Sequence, residues 1–154
     1  AFVKEQNRQN ADGVHYTQNM AMSGESWDFG KIVLSWQDTL QGAEIPDDGR
    51  NVVIHEFAHQ LDQENGKANG VPILGRGQSY KSWSAILTAQ YKQLQQQARA
   101  GAPSLFDHYG ATEPAEFFAV ASEVFFEQSQ QFNHEYPMLY RQLKQYYRVD
   151  PLLW

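Results

Sequence analysis

Residues 51–64 read NVVIHEFAHQLDQE, and this stretch decides which fold the rest of the chain has to support. Its apolar residues recur at the spacing of one face of an α-helix: Val53, Ile54, Phe57, Ala58 and Leu61. Asn65 and Gly66 follow, and both residue types commonly end helices. The stretch therefore predicts an amphipathic helix with one buried face.

The residue patterns on either side of this helix predict an α+β domain that is mainly helical and has a small N-terminal β-sheet. Apolar periodicity predicts further helices over 80–100, 113–128 and 136–148. Residues 31–36 (KIVLSW) predict a strand, and Phe2 and Val3 could open another. Residues 66–79 contain four glycines and predict a long loop, which could border a substrate cleft.

Composition excludes several classes of site. A chain of 154 residues is typical of one domain, here 1–154. It has no cysteine, so any metal must be held by histidine and carboxylate. Its net charge of −6 argues against nucleic-acid binding.

No apolar run is long enough to cross a membrane, and AFVKEQNRQN at the N-terminus lacks a signal-peptide core, so we expect a cytoplasmic location.

The helix over 51–64 contains an H-E-x-x-H motif, formed by His55, Glu56 and His59. Histidines four residues apart lie on the same helix face, so both imidazoles can reach one Zn²⁺ ion. Glu56 is rotated about 100° from His55 and points beside the metal, where it can take a proton from a water that the metal activates. The alternative is a helix with two surface or capping histidines, but the uncharged flanking residues favour a buried metal site.

A catalytic zinc site needs a third protein ligand. Glu116 is one candidate, because it lies in an apolar helix where a lone carboxylate would be costly. It could instead be a first-turn acid that stabilises the helix N-terminus. His108 is the main rival, and His15 and His134 are further candidates. Spacing alone leaves this choice open.

Four segments resemble one known family. They are GRNVVIHEFAHQLD (49–62), YGATEPAEFFAVASEVFFE (109–127), PMLYRQLKQYYRVDP (137–151) and SWDFGKIVLSWQDTLQGAE (26–44). In this order they are similar to the Mlc titration factor A family of bacterial zinc peptidases, and the active-site pattern resembles that of the anthrax lethal factor protease domain. The resemblance implies a zincin-like domain with a gluzincin-like site: one Zn²⁺ on His55, His59 and Glu116, Glu56 as general base, and Tyr109 as an oxyanion donor.

The resemblance also implies a function. It implies aminopeptidase-type hydrolysis of short peptides and, in enteric bacteria, an interaction with the glucose repressor Mlc. The alternative is a regulatory module that captures such a transcriptional repressor, with a structural or vestigial zinc site. Family members carry a further N-terminal stretch of which little is present here, and this puts repressor binding in question.

Two acids are candidates for supporting the ligands. Asp62 lies three residues after His59 and Glu123 seven after Glu116, so each shares a face with a ligand and could fix a histidine tautomer. A surface acid and an ion pair with arginine are the respective alternatives. The strand over 31–36 could bind an extended peptide by strand addition, although a core strand is slightly favoured.

Overall fold

The structure is a computed structural model that describes residues 2–9, 15–22, 24–27 and 31–154, with side chains from residue 31 onward. Strands β1 (Phe2–Gln9) and β2 (His15–Met22) pair antiparallel. Strands β3 (Gly24–Trp27) and β4 (Lys31–Leu34) form a second antiparallel pair. The extended segments are therefore two separate two-stranded pairs, and the structure does not show the single small sheet that we expected.

The described part of the chain is mainly helical, as predicted. The α-helices are α1 (Trp36–Glu44), α2 (Val52–Gln63), α3 (Tyr80–Ala100), α4 (Pro114–Glu127), α5 (Ser129–Glu135) and α6 (Pro137–Tyr147). Short 3₁₀ helices span His108–Ala111 and Pro151–Leu153. Helices α2, α3, α4 and α6 match the four helices predicted from periodicity. None of these helices is long and apolar enough to cross a membrane.

The predicted strand over 31–36 is too long by two residues. Strand β4 ends at Leu34, and Ser35 takes the N-cap position of α1, where its hydroxyl accepts a hydrogen bond from the Asp38 amide. Trp36 then opens the helix. A capping serine followed three residues later by an acid is a helix-start signal. The strand therefore stops before this serine, although apolar residues continue beyond it.

Helix α4 is the centre of the hydrophobic core. It is buried on nearly all sides, including Phe117, Phe118 and Phe125. Trp83 of α3 packs edge-on against Phe118, and its indole N–H donates to the Gly70 carbonyl at 3.0 Å, which ties the 66–79 loop to the core. Helices α2, α3, α5 and α6 all contact α4.

Helix α2 lies between the core and the second strand pair. Its buried face packs on α4, and it also contacts β3, β4 and α1. The H-E-x-x-H motif is thereby held between the most buried helix of the molecule and strand β3. The packing of α2 on both sides therefore fixes where His55, Glu56 and His59 lie.

Candidate metal centre

Helices α2 and α4 bring three potential ligand atoms together. His55 Nε2 lies 3.1 Å from His59 Nε2 and 3.0 Å from Glu116 Oε2, and His59 Nε2 lies 3.3 Å from the same carboxylate oxygen. All three side chains are less than one-fifth exposed. Among the residues whose side chains are described, this is the group of histidines and acids that could hold a metal ion.

The spacing of these atoms fits a small divalent cation. Ligand atoms about 2.0–2.1 Å from a tetrahedral ion are about 3.3–3.4 Å apart, close to the distances found here. Two imidazole nitrogens and a carboxylate oxygen that converge on one point repel each other unless a cation or protons lie between them. The donor set therefore fits Zn²⁺ or a similar ion.

Glu123 fixes the orientation of one of these histidines. Its Oε1 lies 2.7 Å from His55 Nδ1, so the ring donates there and its Nε2 faces the cluster. Its Oε2 accepts a hydrogen bond from the Asn51 amide at 2.6 Å. One carboxylate on α4 thus holds both a candidate ligand and the first turn of α2.

The acids also set the protonation of the metal-free cluster. Burial lowers the pKa of His55, but hydrogen bonds to Glu116 and Glu123 outweigh this and raise the pKa to about 10. Burial favours the neutral form of Glu116, yet hydrogen bonds from His55 and His59 lower its pKa to about 2. Without metal, a proton on His55 therefore takes the place that a cation would fill.

Glu56 lies beside the cluster and not in it. It is 5% exposed, on the side of α2 that faces β3. Together with His55, Tyr109 and Glu123 it lines a cleft of about 530 Å³. The position predicted for a general base is therefore next to the candidate metal site and open to a cleft that can hold a small substrate.

Tyr109 also lines this cleft, and it belongs to the 3₁₀ helix His108–Ala111. Its side chain is 55% exposed, and its ring centroid is 6.1 Å from that of His55. Partial burial, the charges of Glu116 and Glu56 and a hydrogen bond to Glu116 raise the pKa of the phenol to about 12. The hydroxyl therefore stays protonated at neutral pH and can donate a hydrogen bond.

Other predicted candidates lie elsewhere. His108 and His134 are exposed and do not join the cluster, and the side chain of His15 lies outside the described residues. Asp62 is fully buried, and its Oδ2 accepts hydrogen bonds from the Asn69 and Gly70 amides, so its described bonds go to the loop. A role for Asp62 beside the ligands stays a prediction.

Two further residues of the site, Asn51 and Gly24, were not predicted from the sequence. Asn51 caps α2 by accepting from the Val53 and Ile54 amides, and its side-chain amide donates to Glu127 Oε1 at 2.9 Å. An asparagine just before an apolar helix is a capping signal that could have identified it. Gly24 of β3 lies against the Glu56 side chain, and no local pattern indicates this contact.

Comparisons with known proteins find relatives over nearly the whole chain. The family model for glucose-regulated metallo-peptidase M90 matches residues 1–148. The chain is 44% identical over 137 residues to the uncharacterized protein slr2042 of Synechocystis, covering 88% of this chain and 50% of that protein. It is 37% identical to Mlc titration factor A of Pectobacterium atrosepticum over 155 residues, and 36% identical to that of Serratia proteamaculans over 154 residues. These two alignments cover 98% of this chain and 57% and 58% of the relatives.

The chain thus spans about half the length of the curated relatives it matches. The matched region includes the histidines of α2 and Glu116 of α4. On this evidence the chain belongs to the glucose-regulated metallo-peptidase M90 family.

Proposed function

We propose that this domain is a zinc-dependent metallopeptidase with aminopeptidase-like activity on short peptides. The observation that carries the proposal is the convergence of His55 Nε2, His59 Nε2 and Glu116 Oε2 within 3.3 Å of one another, beside the buried Glu56. His55, His59 and Glu116 would hold one ion per chain. When bound, that ion would supply the Lewis acidity that polarises a peptide carbonyl and lowers the pKa of a water.

Glu56 is the general base in this proposal. Its carboxylate takes a proton from the attacking water and delivers it to the leaving amine. Two features of the site support this role for Glu56. Its side chain is buried, which restricts its rotamer, and it lines the cleft that would admit the substrate. Purely structural zinc sites have no need of a carboxylate at this position, and they commonly use four protein ligands.

Tyr109 is the oxyanion donor. Its pKa, raised to about 12, lies far above neutral pH, so the phenol carries a proton that it can donate to the oxygen that becomes negative in the transition state. Its side chain is half-exposed and lines the cleft, so it can approach a bound substrate.

Acidic residues at the same cleft support a preference for a free amino terminus. Asp38, Asp48 and Asp107 line it, together with Arg50, whose guanidinium pairs with Asp107 at 2.7 Å. The surplus of carboxylates would attract the α-ammonium group of a peptide.

The test is hydrolysis of aminoacyl and short-peptide reporters by zinc-loaded wild type, Glu56→Gln and Glu64→Gln. Each reporter is offered with a free and with an acetylated N-terminus. Glu64 is exposed at the C-cap of the same helix, so Glu64→Gln is the matched control. We expect Glu56→Gln to retain zinc and lose about 10²–10⁴-fold in turnover, while the control keeps activity. Full activity in Glu56→Gln would rule out this base, and equal cleavage of acetylated reporters would rule out an aminopeptidase.

Capture of a transcriptional repressor is a second candidate function. Its support is the name of the relatives, Mlc titration factor A, at 36–37% identity over nearly this whole chain. Binding of purified Mlc by wild type and Glu116→Ala discriminates between the two functions. Equal binding by both proteins, with no peptidase activity in wild type, would favour the binding function.

A further inference from the structure

The contact between Glu56 and strand β3 points to a residue that sets the position of the base. Gly24 is the first residue of β3 and is buried. A Cβ atom at this residue would lie 2.5 Å from both Cγ and Oε1 of Glu56, and 2.7 Å from Cδ. Carbon atoms in contact are normally about 3.5–4.0 Å apart, so Glu56 in its present conformation requires glycine here.

Conformational freedom does not explain this glycine. Gly24 lies in strand β3 and pairs with Leu34, and L-residues adopt the extended backbone of a strand. Glycine within a strand is ordinarily unfavourable, because it loses more chain entropy on folding and offers no side chain for packing. An alanine at such a site would usually stabilise the fold, which leaves the close approach of Glu56 as the reason for glycine.

The atoms nearest to a Cβ at residue 24 show which side chain it would disturb. The three closest atoms all belong to Glu56, and they include both carbons nearest its carboxyl oxygens. All three belong to the side chain proposed as the base. A side chain at residue 24 would therefore displace the carboxyl group of Glu56 first.

We propose that Gly24 is a positioning residue for Glu56: the missing side chain forms the recess that holds the carboxylate beside the metal centre. The proposal rests on the proposed function for the role of Glu56 as base. The recess itself is a property of the fold and can be tested without any activity.

The test is a double-mutant cycle with Gly24→Ala and Glu56→Ala. Its matched control is Gly42→Ala, at a buried glycine of α1 where a Cβ would meet Asn51 at an ordinary 3.4 Å. We expect Gly24→Ala to lower the thermal midpoint by several degrees, and Gly42→Ala to keep or raise it. In the Glu56→Ala background, Gly24→Ala should no longer lower the thermal midpoint, because Cγ, Cδ and Oε1 of Glu56 are then absent. An equal loss in both backgrounds would overturn the proposal.

A kinetic readout separates positioning from general destabilisation. Zinc-loaded Gly24→Ala should lose roughly a hundredfold in kcat, the loss typical of a displacement near 1 Å, with KM and zinc affinity close to wild type. Wild-type kcat in Gly24→Ala would refute the positioning role. If wild type itself lacks peptidase activity, the proposed function fails, and the stability cycle still decides whether Gly24 forms the recess. If Gly24→Ala does not fold, the double variant must recover folding, and failure to do so counts against the recess.

Discussion

At the scale of single residues, Glu123 connects two parts of the site through one carboxylate. One of its oxygens faces His55 Nδ1 and the other accepts from the Asn51 amide, at 2.7 and 2.6 Å. A glutamine would keep the shape of this side chain, but it offers only one acceptor oxygen. It therefore cannot serve both donors.

We predict that Glu123→Gln lowers zinc affinity by about 10–100-fold, the usual effect of losing a carboxylate behind a metal-bound histidine. Competition with a chromophoric chelator measures the affinity. Glu135→Gln, at an exposed glutamate at the end of α5, is the control and should bind zinc like wild type. Unchanged affinity in Glu123→Gln would show that Glu123 does not support His55.

The pKa values of the cluster predict how pH affects the metal-free protein. The pKa of His55 is raised from 6.5 to about 10, so its contribution to stability is full below pH 6.5 and is lost as the pH rises through 10. The pKa of Glu116 is lowered from 4.5 to about 2, so its contribution is full above pH 4.5 and is lost as the pH falls through 2. Both contributions are complete between pH 4.5 and 6.5.

Thermal unfolding of chelator-treated protein should therefore show a higher midpoint at pH 6 than at pH 9. His55→Ala should flatten this slope, whereas His134→Ala, at an exposed histidine of α5, should keep it. A slope that survives in His55→Ala would have to arise from other groups.

At the scale of elements, Asn51 ties the start of α2 to α4. Its Oδ1 caps α2, and its Nδ2 donates to Glu127. Aspartate caps a helix as well as asparagine does, but it would place a carboxylate where Glu127 now accepts a hydrogen bond. The two functions of this side chain can therefore be separated by substitution.

We predict that Asn51→Ala costs about 1 kcal/mol or more of unfolding free energy, through the lost cap. Asn51→Asp should cost a comparable amount although it retains the cap, because like charges then meet at Glu127. Urea denaturation measures both, with Asn133→Asp on the exposed face of α5 as control. A neutral Asn51→Asp would show that the contact to Glu127 contributes nothing.

Local signals in the sequence account for most of the helices and part of the site. Periodicity predicts α2, α3, α4 and α6, and the spacing of H-E-x-x-H places His55 and His59 on one face. It cannot decide between Glu116 and His108, since that choice depends on which element packs against α2. Gly24 is beyond sequence reasoning for the same reason: its contact with Glu56 exists only once β3 lies on α2. Helix α1 was missed because its capping signal, Ser35 with Asp38, follows directly on an apolar strand.

At the scale of the whole molecule, a metal that joins α2 to α4 should stabilise the entire fold. Candidate ligand atoms from both helices meet at one point, and α4 is the centre of the core. At a free zinc concentration 100-fold above Kd, binding to the folded state adds about 2.7 kcal/mol. For a chain of this size each kcal/mol raises the thermal midpoint by about 2–4 °C.

We therefore predict that zinc raises the thermal midpoint of wild type by roughly 5–10 °C. Glu116→Ala should lose most of this shift, because it removes the only proposed ligand on α4. Differential scanning fluorimetry with and without zinc measures the shift. A full shift in Glu116→Ala would place the stabilising metal elsewhere.

The proposed active site requires a metal ion bound between α2 and α4. Anomalous X-ray diffraction at the zinc edge, from crystals of zinc-loaded protein, tests this most directly. We predict one strong peak per chain at about 2.0–2.2 Å from His55 Nε2, His59 Nε2 and a carboxylate oxygen of Glu116. No peak at this point, or a peak bound by other residues, would contradict the account.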